Sequence, residues 1–562
     1  MPSPSVTRRE SFDKRFELMK SERTNFIPHW RELSDYHLAH RGRFLVSDRN
    51  KGHKRNTKQL NNTSRLAGRT LASGMMAGIT SPARPWFRLS LPDPAAMEFG
   101  PVKDWLMIVE RIMREIFNRS NLYNSLHAVY HELGVFGTAS MAVFEDFDNV
   151  IRCKPYTVGS YVLALNGKDK VDTWARDYQL TVGQLVKQFG KENVSISTLN
   201  LWNTGSTESW VDVVHLVEPN DDRDNLSPMA KDKLFRSVYY EKAAREEKFL
   251  RESGFDEFPI MAPRWEVTGE DIYAASCPGM DALGDVKGLQ ISERKKYEAI
   301  DKHVDPAYQA PTSMRNTVDA GGTAPGEISY NDDPSGRGLR PVYEIKPDVG
   351  AMLGDIEKTE LRVSKTFYED LFLMLANSGR SQITAREVAE RHEEKLLMLG
   401  PVLERLHGEL LDPLIDRTFS IALRAGIIPP PPEELQGKEL KVEYISVLAQ
   451  AQRLVAVGGI EQLAGFVGQL TTIWPEARHK LRPDQSIEDY ANALGTSPDL
   501  VRSESEYNDA VELERQQAQA AQQAASMPQL VDSAKSLSET DTTGDNGLTR
   551  TMARAGVGNV AG

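Results

Sequence analysis

Residues that could hold a nucleotide, a metal or an activated nucleophile occur only as fragments of the relevant motifs. Gly-Lys occurs at 167–168, 190–191 and 437–438 without a following Ser or Thr, so the phosphate-binding P-loop is missing. His131-Glu132 and His392-Glu393 lack the second histidine of a zinc-protease helix, and we interpret both as solvated helix faces. A Gly-x-Ser-x-Gly nucleophile turn is also missing. The sequence therefore predicts a protein that is not an enzyme, with no catalytic residues, no metal site and no cofactor.

Two polar segments carry groups that can contact phosphate or a partner protein. The segment from Arg41 to Lys58 holds seven Lys and Arg residues and few apolar ones. It is either a contact surface or a solvated loop. The segment 376–383, Ala-Asn-Ser-Gly-Arg-Ser-Gln-Ile, is a polar loop between two long helical patterns. It is either a functional contact or a hinge.

A third feature is an insertion of about 45 residues, Asp305 to Pro347, rich in Pro, Gly, Asn and Asp. Helical periodicity flanks it at 283–303 and at 352–375. The two helices are either a plain antiparallel pair with a long surface loop or a functional unit. A plain surface loop is disfavoured because structureless insertions of this length are uncommon in compact domains and are usually functional or disordered.

The elements that must position these segments belong to an α+β protein that is mainly α. Apolar residues recur at three- and four-residue steps over 11–39, 62–79, 101–118 and 122–136, which predicts helices. From 140 to 250 the period changes to two, which predicts short strands, with one helix at 181–189. A capping box at 384–387 begins a long helix that Gly400-Pro401 should bend.

Composition excludes several classes of protein. The chain of 562 residues is 26% charged and 40% hydrophobic, which is typical of a soluble globular protein of about three to four domains. A membrane helix and a signal peptide are not evident. Cys153 and Cys277 allow at most one disulfide, which fits synthesis in a reducing cytoplasm. The net charge of −12 argues against a protein that coats nucleic acid through overall electrostatic attraction. Any contact with DNA must therefore be local, or must be of a kind that does not bind the DNA tightly.

Three stretches of sequence are more specific than periodicity or composition. The first comprises RTNFIPHWREL at 23–33 and GMMAGITSPARPWF at 74–87, and the second is PGMDALGD at 278–285. The third and most specific comprises ITAREV at 383–388, RHEEK at 391–395 and LGPVLERL at 399–406. Together they resemble the portal, or head-to-tail connector, proteins of short-tailed, T7-like bacteriophages. The resemblance covers about residues 8–505 and leaves the Gln/Ala-rich helix and the tail outside it.

The resemblance implies the portal fold, assembled as a ring, with an α/β wing, a two-helix stem, a clip insertion, a long bent wing helix and a helical crown. The implied parts are an N-terminal helical part of the wing (1–79), the α+β wing (80–277), stem helix 1 (278–303), the clip (304–348), stem helix 2 (349–375), the tunnel loop (376–383), the bent wing helix (384–428), the upper wing and crown (429–503), a crown or barrel helix (504–526) and a disordered tail (527–562).

For function, the resemblance implies a homo-dodecameric ring at the capsid vertex of the virion, made in the host cytoplasm. Double-stranded DNA would pass through it during packaging and ejection without sequence-specific contacts. The implied protein partners are the terminase large subunit, tail adaptor or nozzle proteins, and the major capsid and scaffolding proteins, with no membrane. An acidic protein suits such a channel because wall carboxylates weaken adhesion of a polyanion.

The resemblance also implies candidate site residues in the two polar insertions. The candidate DNA-channel residues of the tunnel loop are Asn377, Ser378, Arg380 and Gln382. The candidate contacts of the clip with terminase or adaptor are Arg315, Arg337 and Arg340. The alternative to a portal is a tail or adaptor structural protein of the phage neck that does not form the channel. Such proteins typically carry β-rich receptor-binding repeats, which this sequence lacks, and a terminase would require the missing P-loop.

Overall fold

The computed structural model describes residues 7–48, 58–92, 100–244, 246–312, 328–330, 340–341, 348–377, 398–435, 440–445 and 463–471, with a few isolated positions after 471. The chain divides into two compact units, Met1–Gly458 and Gly459–Gly562. The longest described stretch of the second unit is the helical segment 463–471, on which Leu463 and Phe466 are exposed. All elements named below belong to the first unit.

Helices and mainly antiparallel strands alternate in blocks along the first unit, which makes it an α+β fold. The helices are α1 (Arg8–Thr24), α2 (Ile27–His37), α3 (Thr63–Ile79), α4 (Gly100–Arg119), α5 (Leu122–Phe136), α6 (Val182–Phe189), α7 (Ile196–Asn203), α8 (Pro278–Val304), α9 (Val349–Thr366), α10 (Glu369–Asn377) and α11 (Asp412–Arg424). The strands are β1 (Phe87–Ser90), β2 (Ser140–Asp146), β3 (Val150–Tyr156), β4 (Val162–Leu165), β5 (Val171–Thr181), β6 (Trp210–Pro219), β7 (Phe235–Glu241), β8 (Arg251–Phe255), β9 (Ile260–Met261), β10 (Tyr308–Ala310), β11 (Ile328–Tyr330), β12 (Arg340–Pro341) and β13 (Lys441–Tyr444).

The first helical segment is two helices, whereas the periodicity predicted one over 11–39. Helix α1 begins at a capping box in which the Thr7 hydroxyl and the Glu10 carboxylate bond reciprocally to backbone amides. It ends at Thr24, and α2 starts at Ile27 with Pro28 in its first turn. The break is a consequence of Pro28, which has no amide hydrogen and would clash with the carbonyl four residues earlier in a continuous helix.

Two antiparallel sheets form the middle of the fold. Strands β3, β2 and β9 make one sheet, and β4, β5, β6, β7 and β8 make the other in sequence order. Helix α1 covers one face of the larger sheet, where Phe12, Phe16 and Met19 pack against buried residues such as Val214 and Val238. The α+β organisation predicted for this region is therefore confirmed, although the short helix α7 within it was not predicted.

Helix α5 is buried along almost its whole length. His131 and Glu132 on this helix are 8% and 2% exposed, so the prediction that they form a solvated face is wrong. Glu132 accepts hydrogen bonds from the Val158 amide at 2.9 Å and from the Arg41 guanidinium at 3.2 Å. A local motif could not reveal this burial because the turn after β3 and the arginine that bond to the carboxylate lie elsewhere in the chain.

The last described helix of the unit is tied to the sheets by two buried arginines. Residues 398–406 are helical and continue through a π turn, His407–Leu411, into α11. Arg417, 1% exposed, donates to the Val143 carbonyl at 2.8 Å, and Arg264 forms an ion pair of 2.6 Å with Glu409. Residues 384–397 lie outside the described residues, so the bend predicted at Gly400-Pro401 stays a prediction.

Candidate functional site

The paired helices α8 and α9 and the segments that join them contain most of the predicted site. Helix α8 has 27 residues and is therefore about 40 Å long. Its buried residues all lie between Pro278 and Glu293, and residues 294–304 are exposed or half-buried. Arg362 near the end of α9 bonds to Asp285 near the start of α8 at 2.9 Å, so the two helices run antiparallel. This pairing brings the two ends of the insertion together at the far end of the helix pair.

A polar cluster joins both helices to the segment that precedes α3. The Asn61 side-chain amide donates to Glu293 on α8 at 3.1 Å and to Glu360 on α9 at 2.6 Å. The Gln290 side chain accepts a hydrogen bond from the Asn61 backbone N–H at 2.8 Å and donates one to the Asn61 backbone carbonyl at 3.0 Å. The Lys296 ammonium forms an ion pair with the Glu293 carboxylate, with 2.5 Å between Nζ and Oε2. Because buried hydrogen bonds to charged groups are strong and directional, this cluster fixes the helix pair on the body of the unit.

Close contacts at two glycines position the start of α8 on α5 and Phe372 of α10 on α3. Gly279 lies against the backbone of Val135 in α5, where an added Cβ would be 2.4 Å from the Val135 carbonyl oxygen. Gly74 in α3 faces Phe372 in α10, where an added Cβ would be 2.2 Å from the Phe372 Cβ. The small residues that the sequence shows in α3 therefore permit α10 to pack closely upon it.

The second helix of the pair is interrupted, whereas the sequence predicted a continuous helix from 349 to 375. Helix α9 ends at Thr366, and α10 begins at Glu369. Tyr368 between them has a φ of +53°, in the left-handed region that ends a helix. Phe367 and Phe372 are both buried on either side of the break. The apolar periodicity continues across the break because both helices bury the same stripe, so spacing alone could not locate it.

The insertion at the tip of the pair contains a small mixed sheet in its described part. Strand β10 pairs in parallel with β11 and antiparallel with β12. Arg340 is the first residue of β12 and is paired with Gln309. Arg315 and Arg337 lie outside the described residues, so their predicted role at the clip stays a prediction.

The first two residues of the predicted tunnel loop, Ala376 and Asn377, are the last residues of α10, so the loop starts later than predicted. Asn377 is the last residue of α10, and Ser378, Arg380 and Gln382 lie outside the described residues. Helix α10 is anchored on α3 through Phe372, so the start of this loop is held by the packed core. The structure thus fixes the point from which the loop departs, while the contacts of its polar residues stay a prediction.

The basic segment 41–58 is engaged with the rest of the unit where the structure describes it. Arg41 pairs with the buried Glu132 at 3.2 Å, and Lys58 pairs with Asp35 at 2.7 Å. Residues 49–57 lie outside the described residues. Arg41 is therefore held by a buried partner, whereas the pair formed by Lys58 is exposed and leaves both interpretations of the segment open at that end.

Comparison with known sequences identifies the family. A sequence model described as bacteriophage head to tail connecting protein matches residues 9–501. The chain belongs to this family. It is 47% identical over 551 residues to the portal protein of Salmonella phage epsilon15, covering 98% of this chain and 99% of that protein. It is 45% identical over 545 residues to the probable portal protein of Bordetella phage BPP-1, covering 97% and 98%. The portal resemblance predicted from the sequence motifs is confirmed.

Among solved structures, the chain is similar to one in the virion of a native gene transfer agent particle. The match has a TM-score of 0.33 at 12% identity and covers 82% of this chain and 96% of that one. A second match, in the neck of an empty gene transfer agent particle, has a TM-score of 0.33 at 11% identity and the same coverage.

Within the described residues, no helix has the length and apolarity to cross a membrane, and no three His, Cys, Asp or Glu side chains cluster as metal ligands.

Sequence reasoning missed the polar cluster that holds the helix pair. Asn61 is 229 residues from Gln290 and 299 residues from Glu360, and nothing in their local sequence marks them.

Proposed function

We propose that this head-to-tail connecting protein is a portal protein, twelve copies of which form a ring at one capsid vertex. In this proposal the ring is the channel for DNA during packaging and ejection and docks terminase and the tail adaptor. The observation that carries the proposal is the identity of nearly half of all residues, over almost the full chain, to proteins named portal protein. It would act at the head–tail junction of the virion after synthesis in the host cytoplasm.

Exposed apolar side chains on the helix pair support assembly into a ring. Tyr297, Ile300 and Val304 follow one another at three- and four-residue steps on α8, and they are 56%, 38% and 76% exposed. Leu353 and Leu361 on α9 are 43% and 57% exposed. Rows of exposed apolar residues on soluble proteins mark interaction surfaces. In a ring, the helix pairs of neighbouring subunits would cover these rows.

The tunnel loop supplies the proposed contact with DNA. A ring of Arg380 guanidiniums would attract phosphates without reading bases, so its effect would be independent of DNA sequence and weakened by salt. Asn377, Ser378 and Gln382 would add neutral donors, which do not hold the moving DNA tightly. Arg315, Arg337 and Arg340 would contact terminase or the adaptor from the clip.

A packaging assay with paired charge reversals tests the channel. Arg380→Glu should leave ring assembly intact and reduce the length of packaged DNA or its retention. Arg391→Glu, in the helix predicted after the loop, makes the same change in charge outside the loop and should package normally. Equal behaviour of the two variants, or normal packaging by Arg380→Glu, would refute the assignment of the tunnel loop.

A further inference from the structure

A cationic cavity lies between strand β3 of the smaller sheet and the face of the larger sheet formed by β5, β7 and β8. Its volume is about 360 Å³, within the range of small-molecule sites. Its charged lining consists of five cations and one carboxylate: Arg152, Lys154, Arg176, Lys233, Arg251 and Glu145. None of the residues that line the cavity belongs to the helix pair or to the segment 376–383.

Most of the positive charge in the cavity has no counter-charge. Lys233 pairs with Asp256 at 2.8 Å, and Glu145 is occupied by Arg424 at 3.0 Å. In the described part of the chain, the other four cations have no carboxylate within ion-pair distance. Four positive groups therefore share one concave surface in a protein whose net charge is −12.

Aromatic rings hold the central guanidinium in a fixed orientation. The Arg176 guanidinium carbon lies 3.9 Å from the ring centre of Tyr178 and 4.8 Å from that of Tyr156. The Arg176 Nε is buried and has no hydrogen-bond partner among the described residues. Stacking on aromatic faces orders a guanidinium while its N–H groups stay available to an anion. The rings and the hydrogen bond between Arg176 and the Tyr178 hydroxyl hold the guanidinium in place, and its terminal N–H groups are the ones that would donate to a bound anion.

The neighbouring groups show the electrostatic consequence of this crowding. Partial desolvation, followed by the positive charges of Arg176, Arg152 and Arg43, lowers the pKa of Lys154 to about 8. Burial, followed by the charges of Arg176 and Lys154, holds the pKa of His215 well below its ordinary value. In both cases the protonated form of the side chain is disfavoured, and a bound anion would raise the lowered pKa again. Of these two groups Lys154 lines the cavity, and a perturbed titratable group in a concave site is typical of functional sites.

We propose that this cavity binds phosphate groups carrying several negative charges, from a nucleotide or from the backbone of DNA. Phosphate is favoured over carboxylate because two or more guanidiniums and an ammonium converge on one small volume. A carboxylate side chain supplies a single charge, whereas a diphosphate or adjacent backbone phosphates supply several charges and match the guanidinium fork. The alternation Arg152-x-Lys154-x-Tyr156 places three lining residues on one face of β3, which is the part of this site visible in the sequence.

Titration calorimetry with pyrophosphate and with ATP, and fluorescence anisotropy with a short DNA duplex, test the proposal on the full chain. Arg176→Ala and Lys154→Ala should each weaken binding of the phosphate probes by about tenfold or more. Arg176→Lys should lose part of this affinity because it keeps the charge and loses the fork. The control Lys168→Ala, in the exposed turn between β4 and β5, should bind as the unchanged chain does.

The probes also separate the two sources of phosphate. Binding of ATP that the duplex does not displace assigns the cavity to free nucleotides, and duplex binding lost in Arg176→Ala and Lys154→Ala assigns it to the DNA backbone. Absence of binding by all three probes at millimolar concentration would overturn the proposal. So would affinities that neither cavity variant changes, or displacement of pyrophosphate by a poly-glutamate peptide at lower concentration than by ATP. Lys154→Ala, whose side chain is exposed, keeps the test valid if Arg176→Ala does not fold.

Discussion

The substitution Gly279→Ala tests how the helix pair is seated on the body of the unit. Gly279 is the second residue of α8, and a Cβ at this position would lie 2.4, 2.7 and 2.9 Å from the carbonyl oxygen, Cα and carbonyl carbon of Val135. All three atoms are backbone atoms in α5, so no side-chain rotation can relieve the contact. One of the two helices must therefore move.

The expected cost follows from this geometry. Forcing an extra methyl group into a packed contact costs about 1–3 kcal/mol, and the better helix propensity of Ala offsets less than about 1 kcal/mol of it. We expect a net loss of about 1–2 kcal/mol in the free energy of unfolding. The matched control is Gly284→Ala in the same helix, where an added Cβ has no atom within 4 Å. This control should stabilise the chain by about 0.5–1 kcal/mol because Gly is a poor helix former.

Urea unfolding followed by tryptophan fluorescence measures both variants. The unfolding midpoint should fall for Gly279→Ala and rise for Gly284→Ala relative to the unchanged chain. If Gly279→Ala is as stable as Gly284→Ala, the start of α8 does not lie against α5 as described.

Three further predictions concern an ion pair, the pH dependence of stability and the clip. Glu409→Gln should lower the free energy of unfolding by about 2–4 kcal/mol, measured by urea unfolding, because it leaves the buried Arg264 without its counter-charge. Burial lowers the pKa of His37 and of His131 to about 3. Since the unfolded chain binds these protons near pH 6.5, stability should be full above that pH and fall by about 2 kcal/mol per histidine by pH 5. Deletion of 312–338 should leave a folded protein that no longer binds terminase or adaptor in a pull-down assay.

Each of these predictions has a matched control or a contradicting outcome. Arg362→Ala removes the exposed pair with Asp285 and should leave the unfolding midpoint unchanged. If it destabilises as much as Glu409→Gln, burial of Arg264 is not the cause. His131→Gln should flatten the decline in stability between pH 6.5 and 5, and an unchanged decline would contradict the role of burial. Unchanged docking by the deletion variant would show that the clip lies elsewhere.

Local periodicity was sufficient to place the strongly amphipathic helices. The predicted helix 122–136 coincides with α5, and 62–79 differs from α3 by one residue at its start. Periodicity failed at the break between α9 and α10 because the buried stripe continues through Tyr368, whose positive φ has no marker such as glycine. It also failed at His131, where burial depends on distant elements.

Long-range pairing was beyond sequence reasoning. Strand β13 pairs with β1, which precedes it by about 350 residues, and the polar cluster around Asn61 joins three distant segments. Only part of the cationic cavity could be predicted from the sequence. Arg176 and Arg251 line it because of the order in which their strands are arranged in the larger sheet, and the sequence alone does not give that order. The motifs at 278–285 and 383–406 did identify the family, since short specific stretches carry more information about ancestry than about contacts.

Electron microscopy of the purified full-length chain tests the proposed function most directly. A portal protein gives closed rings with a central hole, and class averages should show twelve subunits around it. The exposed apolar rows on α8 and α9 should be covered by neighbouring subunits in a reconstruction of these rings. Monomers or elongated trimers at the same protein concentration would contradict a portal and favour a tail or adaptor protein that does not form the channel.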